Sequence, residues 1–104
     1  LRRVLEQVHA VPGGDWTVPA MAGLAGMSRA SFAARFRQVT GQSPGSYVTG
    51  VRMQRAEDAL ARSDATLAEI AAAVGYRNEY AFATAFRCQH ALAPGKWRAA
   101  ARAS

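Results

Sequence analysis

An internal repeat constrains this chain more than any other feature of its sequence. Asp15, Thr17, Val18, Met21, Ala22, Gly26 and Met27 recur 49 residues later as Asp64, Thr66, Leu67, Ile70, Ala71, Gly75 and Tyr76. The offset then becomes 50, and Phe32, Phe36, Arg37, Pro44, Gly45 and Tyr47 answer to Phe82, Phe86, Arg87, Pro94, Gly95 and Trp97. A period of this size marks one supersecondary unit used twice. The added residue falls in the turn before the second copy's long helix.

Apolar spacing and capping residues place seven helices and no strand. Leu1, Val4, Leu5 and Val8 share one face of a first helix that Pro12-Gly13-Gly14 stops. Thr17 caps a second helix through about Ala25, with Pro19 tolerated in its first turn. Ser28 caps a third, which Gly41 ends near Thr40. Thr66 with Glu69 forms a capping box for a fifth helix, running to Val74. Asn78 caps a sixth from Glu79 to about His90, and Pro94 opens a seventh, expected over 94–101. Each copy is thus helix, short glycine-containing turn, helix, which makes two helix-turn-helix units at about 15–42 and 64–91.

Between them lies the stretch 43–62. Ser43 can accept from the first-turn amides and Pro44 suits the first helical position. Tyr47, Val48 and Val51 make one apolar stripe, while Met53, Ala56, Ala59 and Leu60 make another, rotated by more than a quarter turn. One helix therefore has two bodies to pack against. At about 1.5 Å per residue it spans roughly 28 Å, close to the ~34 Å of one turn of DNA.

Charge narrows the partner class. Thirteen Lys and Arg against seven Asp and Glu give a net charge of +6, which favours anionic partners, nucleic acid ahead of a membrane surface. No apolar run approaches the ~18 residues of a spanning helix and no signal peptide opens the chain, so no membrane association is expected. The single Cys88 excludes an internal disulfide and fits a reducing, cytoplasmic setting. Because Leu1 is not Met, the chain is expected to be a domain of a longer protein. Cys88, His90 and His9 lack ligand spacing, and no carboxylate pair or phosphate-cradling glycine loop occurs, so neither catalysis nor a cofactor nor a metal is expected.

The outward faces carry the chemistry. In the third helix Phe32 and Phe36 set the buried direction, so Ala30, Ala34 and Arg37 point away from it, with Arg29, Ser31 and Ala33 beside them. In the sixth, Phe82 and Phe86 do the same, and Tyr80, Thr84 and Arg87 face outward, flanked by Ala83 and by Arg77, Asn78 and Glu79. Such a face can enter a major groove of about 12 Å, where every base pair shows a distinct pattern. Eight of the nine aromatics have an obvious core or turn-packing role, and Tyr80 is the exception.

At these residues the chain resembles the C-terminal, homeodomain-like DNA-binding domain of the AraC/XylS family of bacterial transcription regulators. The first copy, WTVPAMAGLAGMSRASFAARFRQVTGQSPGSYV, followed by Arg52, Ala56 and Leu60, is similar to the family's first unit. The second, IAAAVGYRNEYAFATAFRCQHALAPGKWR, resembles its more diagnostic half through VGY, F-x-x-A-F and P-x-x-W-R. The resemblance implies recognition helices at 29–40 and 78–90 set into adjacent major-groove segments of double-stranded DNA. It also implies a separate N-terminal effector-binding or dimerisation domain and action by recruiting or blocking RNA polymerase.

Phosphate anchoring is then expected from Arg37, Arg87, Lys96, Arg98, Thr17 and Thr66 and from amides at helix starts. Arg52 is expected in a structural ion pair, and Arg55, Arg62 and Arg102 as solvated charge. The chain departs from the family at Ala34 and Thr84, where relatives carry arginine, and at Ala91 and Ala93, which replace Gly and Ser or Thr and cost the last helix its cap. Exposed Ala30, Ala33 and Ala34 offer contact to thymine methyls without hydrogen bonds. The alternative is a protein-interaction module in which the second unit contacts RNA polymerase or a partner domain and only the first binds DNA.

Overall fold

The computed structural model describes residues 1–103, and among them it contains seven helices and no strand. These are α1 (Arg2–Ala10), α2 (Val18–Ala25), α3 (Arg29–Thr40), α4 (Pro44–Arg62), α5 (Leu67–Ala73), α6 (Glu79–His90) and α7 (Pro94–Ala103). The expected boundaries hold to within a residue or two, α7 running two residues beyond its expected end.

The chain forms two compact units, Leu1–Val51 and Arg52 onward. The boundary falls inside α4, whose two stripes serve different cores. In the first unit Val48 of α4 joins Val4, Val8, Met21, Ala22, Phe32 and Phe36, with Tyr47 and Val51 packed alongside. In the second, Met53, Ala56 and Leu60 of α4 join Ile70, Ala71, Val74, Phe82 and Phe86, with Trp97 and Tyr76 against them. Each core is centred on two phenylalanines one helical turn apart, their rings 5.6 Å apart in the first unit and 5.8 Å in the second.

The repeat is visible down to individual hydrogen bonds. In the turn after α2, Gly26 takes φ +69° and the Met27 amide donates to the Ala22 carbonyl at 2.9 Å. After α5, Gly75 takes φ +94° and the Tyr76 amide donates to the Ala71 carbonyl at 2.8 Å. This closure satisfies carbonyls left over at a helix end and aims the next helix. All four helices of the two motifs have side-chain N-caps, in which Thr17, Ser28, Thr66 and Asn78 accept from the amide three residues on.

The copies differ where the last helix of each begins. Gly41 ends α3 at φ +78°, whereas its counterpart Ala91 ends α6 at φ +61°, the one non-glycine residue with positive φ among the described residues. Ser43 Oγ accepts from the Ser46 amide at 3.3 Å, but Ala93 in the second copy has no oxygen to offer. A left-handed alanine costs about 1–2 kcal/mol and a missing cap typically ~1 kcal/mol. The double variant Ala91→Gly/Ala93→Ser is therefore expected to be more stable by about 2 kcal/mol, read as a rise of roughly 8–16 °C in Tm. An unchanged Tm would mean that neither defect carries a cost.

Candidate nucleic-acid interface

α3 and α6 each turn their two phenylalanines inward, and what remains faces solvent. On α3, Arg29, Ala30, Ser31, Ala34 and Arg37 are exposed and Ala33 is half-buried. On α6 and its N-cap, Asn78, Glu79, Tyr80, Thr84 and Arg87 are exposed, as is Arg77 just before, while Ala83 is half-buried. Tyr80 is 82 % exposed, the highest value among the large exposed side chains of hydrophobic type; each of the other eight aromatics is buried or half-buried. An amphipathic tyrosine left this bare gains nothing from the core and keeps both its ring and its hydroxyl open to outside contact.

The N-caps hold both helices rigidly at the end that would meet a groove. Ser28 Oγ accepts from the Ser31 amide at 3.2 Å and Asn78 Oδ1 from the Ala81 amide at 2.8 Å. Asn78 keeps its Nδ2 as a donor. Arg37 and Arg87, at equivalent points of the last turns, have no ion-pair partner among the described residues. Lys96 is likewise exposed, near the start of α7.

The structure gives four side chains a more definite setting than the sequence alone suggests. Arg98 is half-buried: its Nε donates to the Leu60 carbonyl at 3.0 Å and its Nη2 to those of Ala65 at 2.7 Å and Ser63 at 3.3 Å. It therefore closes off the C-terminal end of α4 and the loop that follows, which removes it as a phosphate anchor. Arg102, expected as solvated charge, pairs with Asp64 at 3.0 Å and donates to the Ser63 carbonyl. Arg52 sits with its guanidinium 5.8 Å from the centre of the Tyr76 ring, a cation–π contact within unit two. Burial pushes the Tyr76 phenol up and the neighbouring Arg52 charge works against that shift.

The fourth is Thr66. Its Oγ1 accepts from the Glu69 amide at 3.1 Å while Glu69 Oε1 accepts from the Thr66 amide at 2.8 Å. Hydrogen bonding to the carboxylate from the Thr66 backbone amide first, and then from the Thr66 side chain, holds the Glu69 carboxyl below its ordinary value, so a negative charge already occupies the start of α5. A phosphate arriving there would meet a carboxylate. The start of α2 has Ala20 at the matching position, and Thr17 Oγ1 accepts from its amide at 3.2 Å with no acid nearby in the first turn. The start of α2 therefore carries no such competing charge beside Thr17.

Among the described residues no group of three or more His, Cys, Asp or Glu is placed to hold a metal ion, and no helix is long and apolar enough to cross a membrane. Sequence reasoning missed the setting of His90. Its ring stacks on Phe86 with centroids 3.8 Å apart, Nδ1 lies 3.1 Å from the Phe86 carbonyl, and Nε2 lies 3.3 Å from Glu57 on α4.

Two helix-turn-helix motifs with exposed, N-capped second helices define the arrangement to be compared with known proteins. The helix-turn-helix domain family matches residues 21–100. The DNA-binding domain of AdpA, a global transcriptional factor crystallised in complex with a target DNA, superposes with a TM-score of 0.93 at 32 % identity, over 98 % of this chain and 92 % of that one. A putative AraC-like transcription regulator of Streptomyces lividans is 41 % identical over 88 % of this chain and 30 % of its own length. The chain belongs to the AraC family of helix-turn-helix transcription regulators. Another relative, the RCS-specific HTH-type transcriptional activator RclR of Escherichia coli, is 40 % identical over 94 % of this chain and 34 % of its own length. The chain thus spans about a third of the length of the curated relatives it matches. The AraC-type fold accounts for every helix described above.

Proposed function

We propose that this chain is the part of a bacterial transcription regulator that binds double-stranded DNA in a sequence-specific way, with α3 and α6 as its two recognition helices. The observation that carries this reading is the pair of equivalent twelve-residue helices, each capped at its N-terminus, anchored by two buried phenylalanines and presenting an exposed face that ends in an unpaired arginine. Each helix would lie in a major-groove segment with its first turns toward base edges. Base contacts would come from Arg29, Ala30, Ser31, Ala33 and Ala34 in the first unit, and from Arg77, Asn78, Glu79, Tyr80, Ala83 and Thr84 in the second. Arg37, Arg87, Lys96 and Thr17 would hold phosphates, fixing register without reading sequence.

The regulator of this reading is longer than the chain, with a further region that senses an effector while this chain reads the operator; relatives about three times its length are consistent with it. RNA polymerase is the second partner of that reading, and the cytoplasm its setting.

Binding of selected duplexes at fixed salt tests the proposal. Charge reversal at Arg77 and Arg87 is expected to lower affinity for every duplex, whereas Tyr80→Ala is expected to change which bases are preferred. Unaltered affinity in the charge-reversed chain would leave the second unit outside the DNA contact. Unaltered preferences in Tyr80→Ala would strike that side chain from base readout.

A further inference from the structure

The residue that closes α6 does more than its counterpart in the first copy. An offset of 50 pairs His90 with Thr40, the last residue of α3. Thr40 Oγ1 donates to the Phe36 carbonyl at 2.9 Å and His90 Nδ1 lies 3.1 Å from the Phe86 carbonyl, so both side chains serve the carbonyl four residues back. The histidine then goes on to a second element, with Nε2 3.3 Å from a carboxylate oxygen of Glu57 on α4.

Both partners of the ring are acceptors. A carbonyl and a carboxylate have no proton to give, and a neutral imidazole has a single N–H for the two of them, whereas the imidazolium has one for each. His90 also stands at the C-terminus of α6, where the helix dipole favours positive charge. Its ring lies flat on Phe86 at 3.8 Å and edge-on to Trp97 of α7 at 6.1 Å, which fixes the plane in which the two nitrogens point. The His90 side chain is 16 % exposed and that of Glu57 39 %, so salt screens the contact only in part. Other charges nearby are engaged elsewhere or exposed. Arg52 of α4 lies at Tyr76, Glu69 of α5 is bound to Thr66, and Arg98 and Arg102 of α7 serve carbonyls and Asp64. Asp58 of α4, Arg87 and Cys88 of α6 and Lys96 of α7 are exposed, and Arg87, three residues back, is the like charge that opposes a cation at His90.

We propose that His90 is a proton-dependent positioning residue for α6, which as imidazolium ties the end of this helix to Glu57 of α4 and on losing a proton releases that tie. The neutral ring keeps its bond to the Phe86 carbonyl, and a lone pair on Nε2 then faces the carboxylate. Folding of the second unit thus takes up a proton, and its hold on α6 weakens as pH rises through the range of about 5 to 8 in which histidine changes charge. In the first unit His9 Nε2 meets the Tyr47 hydroxyl at 2.6 Å, a group that donates or accepts and so serves either ring form. The clamp stands apart from the DNA-reading role proposed above, and only its effect on affinity rests on that role.

The test compares this chain with its Glu57→Gln and His90→Thr variants at about pH 6 and about pH 8, reading ring-nitrogen chemical shifts of His90, amide protection in the last turn of α6 and affinity for one duplex. In the unaltered chain the ring is expected to be doubly protonated at the lower pH. Protection, corrected for intrinsic exchange, is expected to fall about fivefold at the higher pH and affinity about threefold. Glutamine at position 57 keeps the shape of the side chain and serves either ring form, and threonine at position 90 keeps the carbonyl bond without titrating, so both are expected to flatten the response. Glu57→Gln leaves the aromatic stack intact and decides the matter if His90→Thr does not fold. A pH response that survives in Glu57→Gln, or a ring that stays singly protonated at the lower pH, overturns the proposal. Lost protection with an affinity that follows the Glu57→Gln variant at both pH values overturns the positioning role. A chain that binds no duplex at either pH would overturn the DNA-reading role instead, and the clamp would still be judged by protection and ring shifts.

Discussion

Affinity for duplex DNA is expected to fall roughly 40-fold between about 50 and about 200 mM salt, because each neutralised phosphate contributes about 0.9 to the log-log slope. The figure follows from the three exposed cations assigned to phosphates, Arg37, Arg87 and Lys96, which give a slope of about −2.7. Arg98 and Arg102 are left out because their donors are taken up by carbonyls and by Asp64. Titrations of one duplex across that salt range measure the slope directly. The Arg37→Ala/Arg87→Ala double variant is expected to reduce it by about two. A slope near zero would mean that the +6 charge serves some other purpose than phosphate binding.

Loss of the Phe86 ring is the change expected to harm the fold most. Phe86 is fully buried and touches more aromatic partners than any other ring in its unit: Phe82 at 5.8 Å, His90 stacked at 3.8 Å and Trp97 edge-on at 5.8 Å. Truncation to alanine removes the shared wall of that cluster and leaves a cavity between α6 and α7, which costs about 3–5 kcal/mol. Domains of this size hold only about 5–15 kcal/mol in all. Phe86→Ala is therefore expected to lower the Tm by about 12 °C or more in a circular-dichroism melt, with a loss of DNA affinity that Phe86→Leu largely avoids. A loss under about 1 kcal/mol would show that α6 is held by something other than this aromatic stack.

The fold was legible because local and global signals agree at most positions. Ser28, Thr17, Asn78 and the Thr66–Glu69 pair cap the helices that their spacing predicts, and the two stripes of α4 find separate cores. The exposed faces of α3 and α6 were legible in outline, since the buried phenylalanines dictate which side of each helix remains bare. Individual cations were harder to place, because the fate of a long charged side chain depends on which carbonyls come within its reach, and that is a tertiary matter. Arg98 shows that part of this was recoverable. An offset of 50 pairs it with Val48, which is buried in the first unit, so the repeat itself marks Arg98 as an inward position occupied by a cation. The same offset pairs His90 with Thr40, whose side chain also meets the carbonyl four residues back, but nothing in that match points to Glu57.

Capping of the α4 terminus by Arg98 and Arg102 bears on how the molecule can be handled. The carbonyls of Leu60, Ser63 and Ala65 receive their donors from a helix that begins only at Pro94, so trimming that tail takes the donors from part-buried oxygens thirty-odd residues upstream of the cut, just before the second helix-turn-helix motif. Affinity handles belong beyond Ala103, and a shortened variant that still melts cooperatively should be suspected of having rebuilt this corner with water.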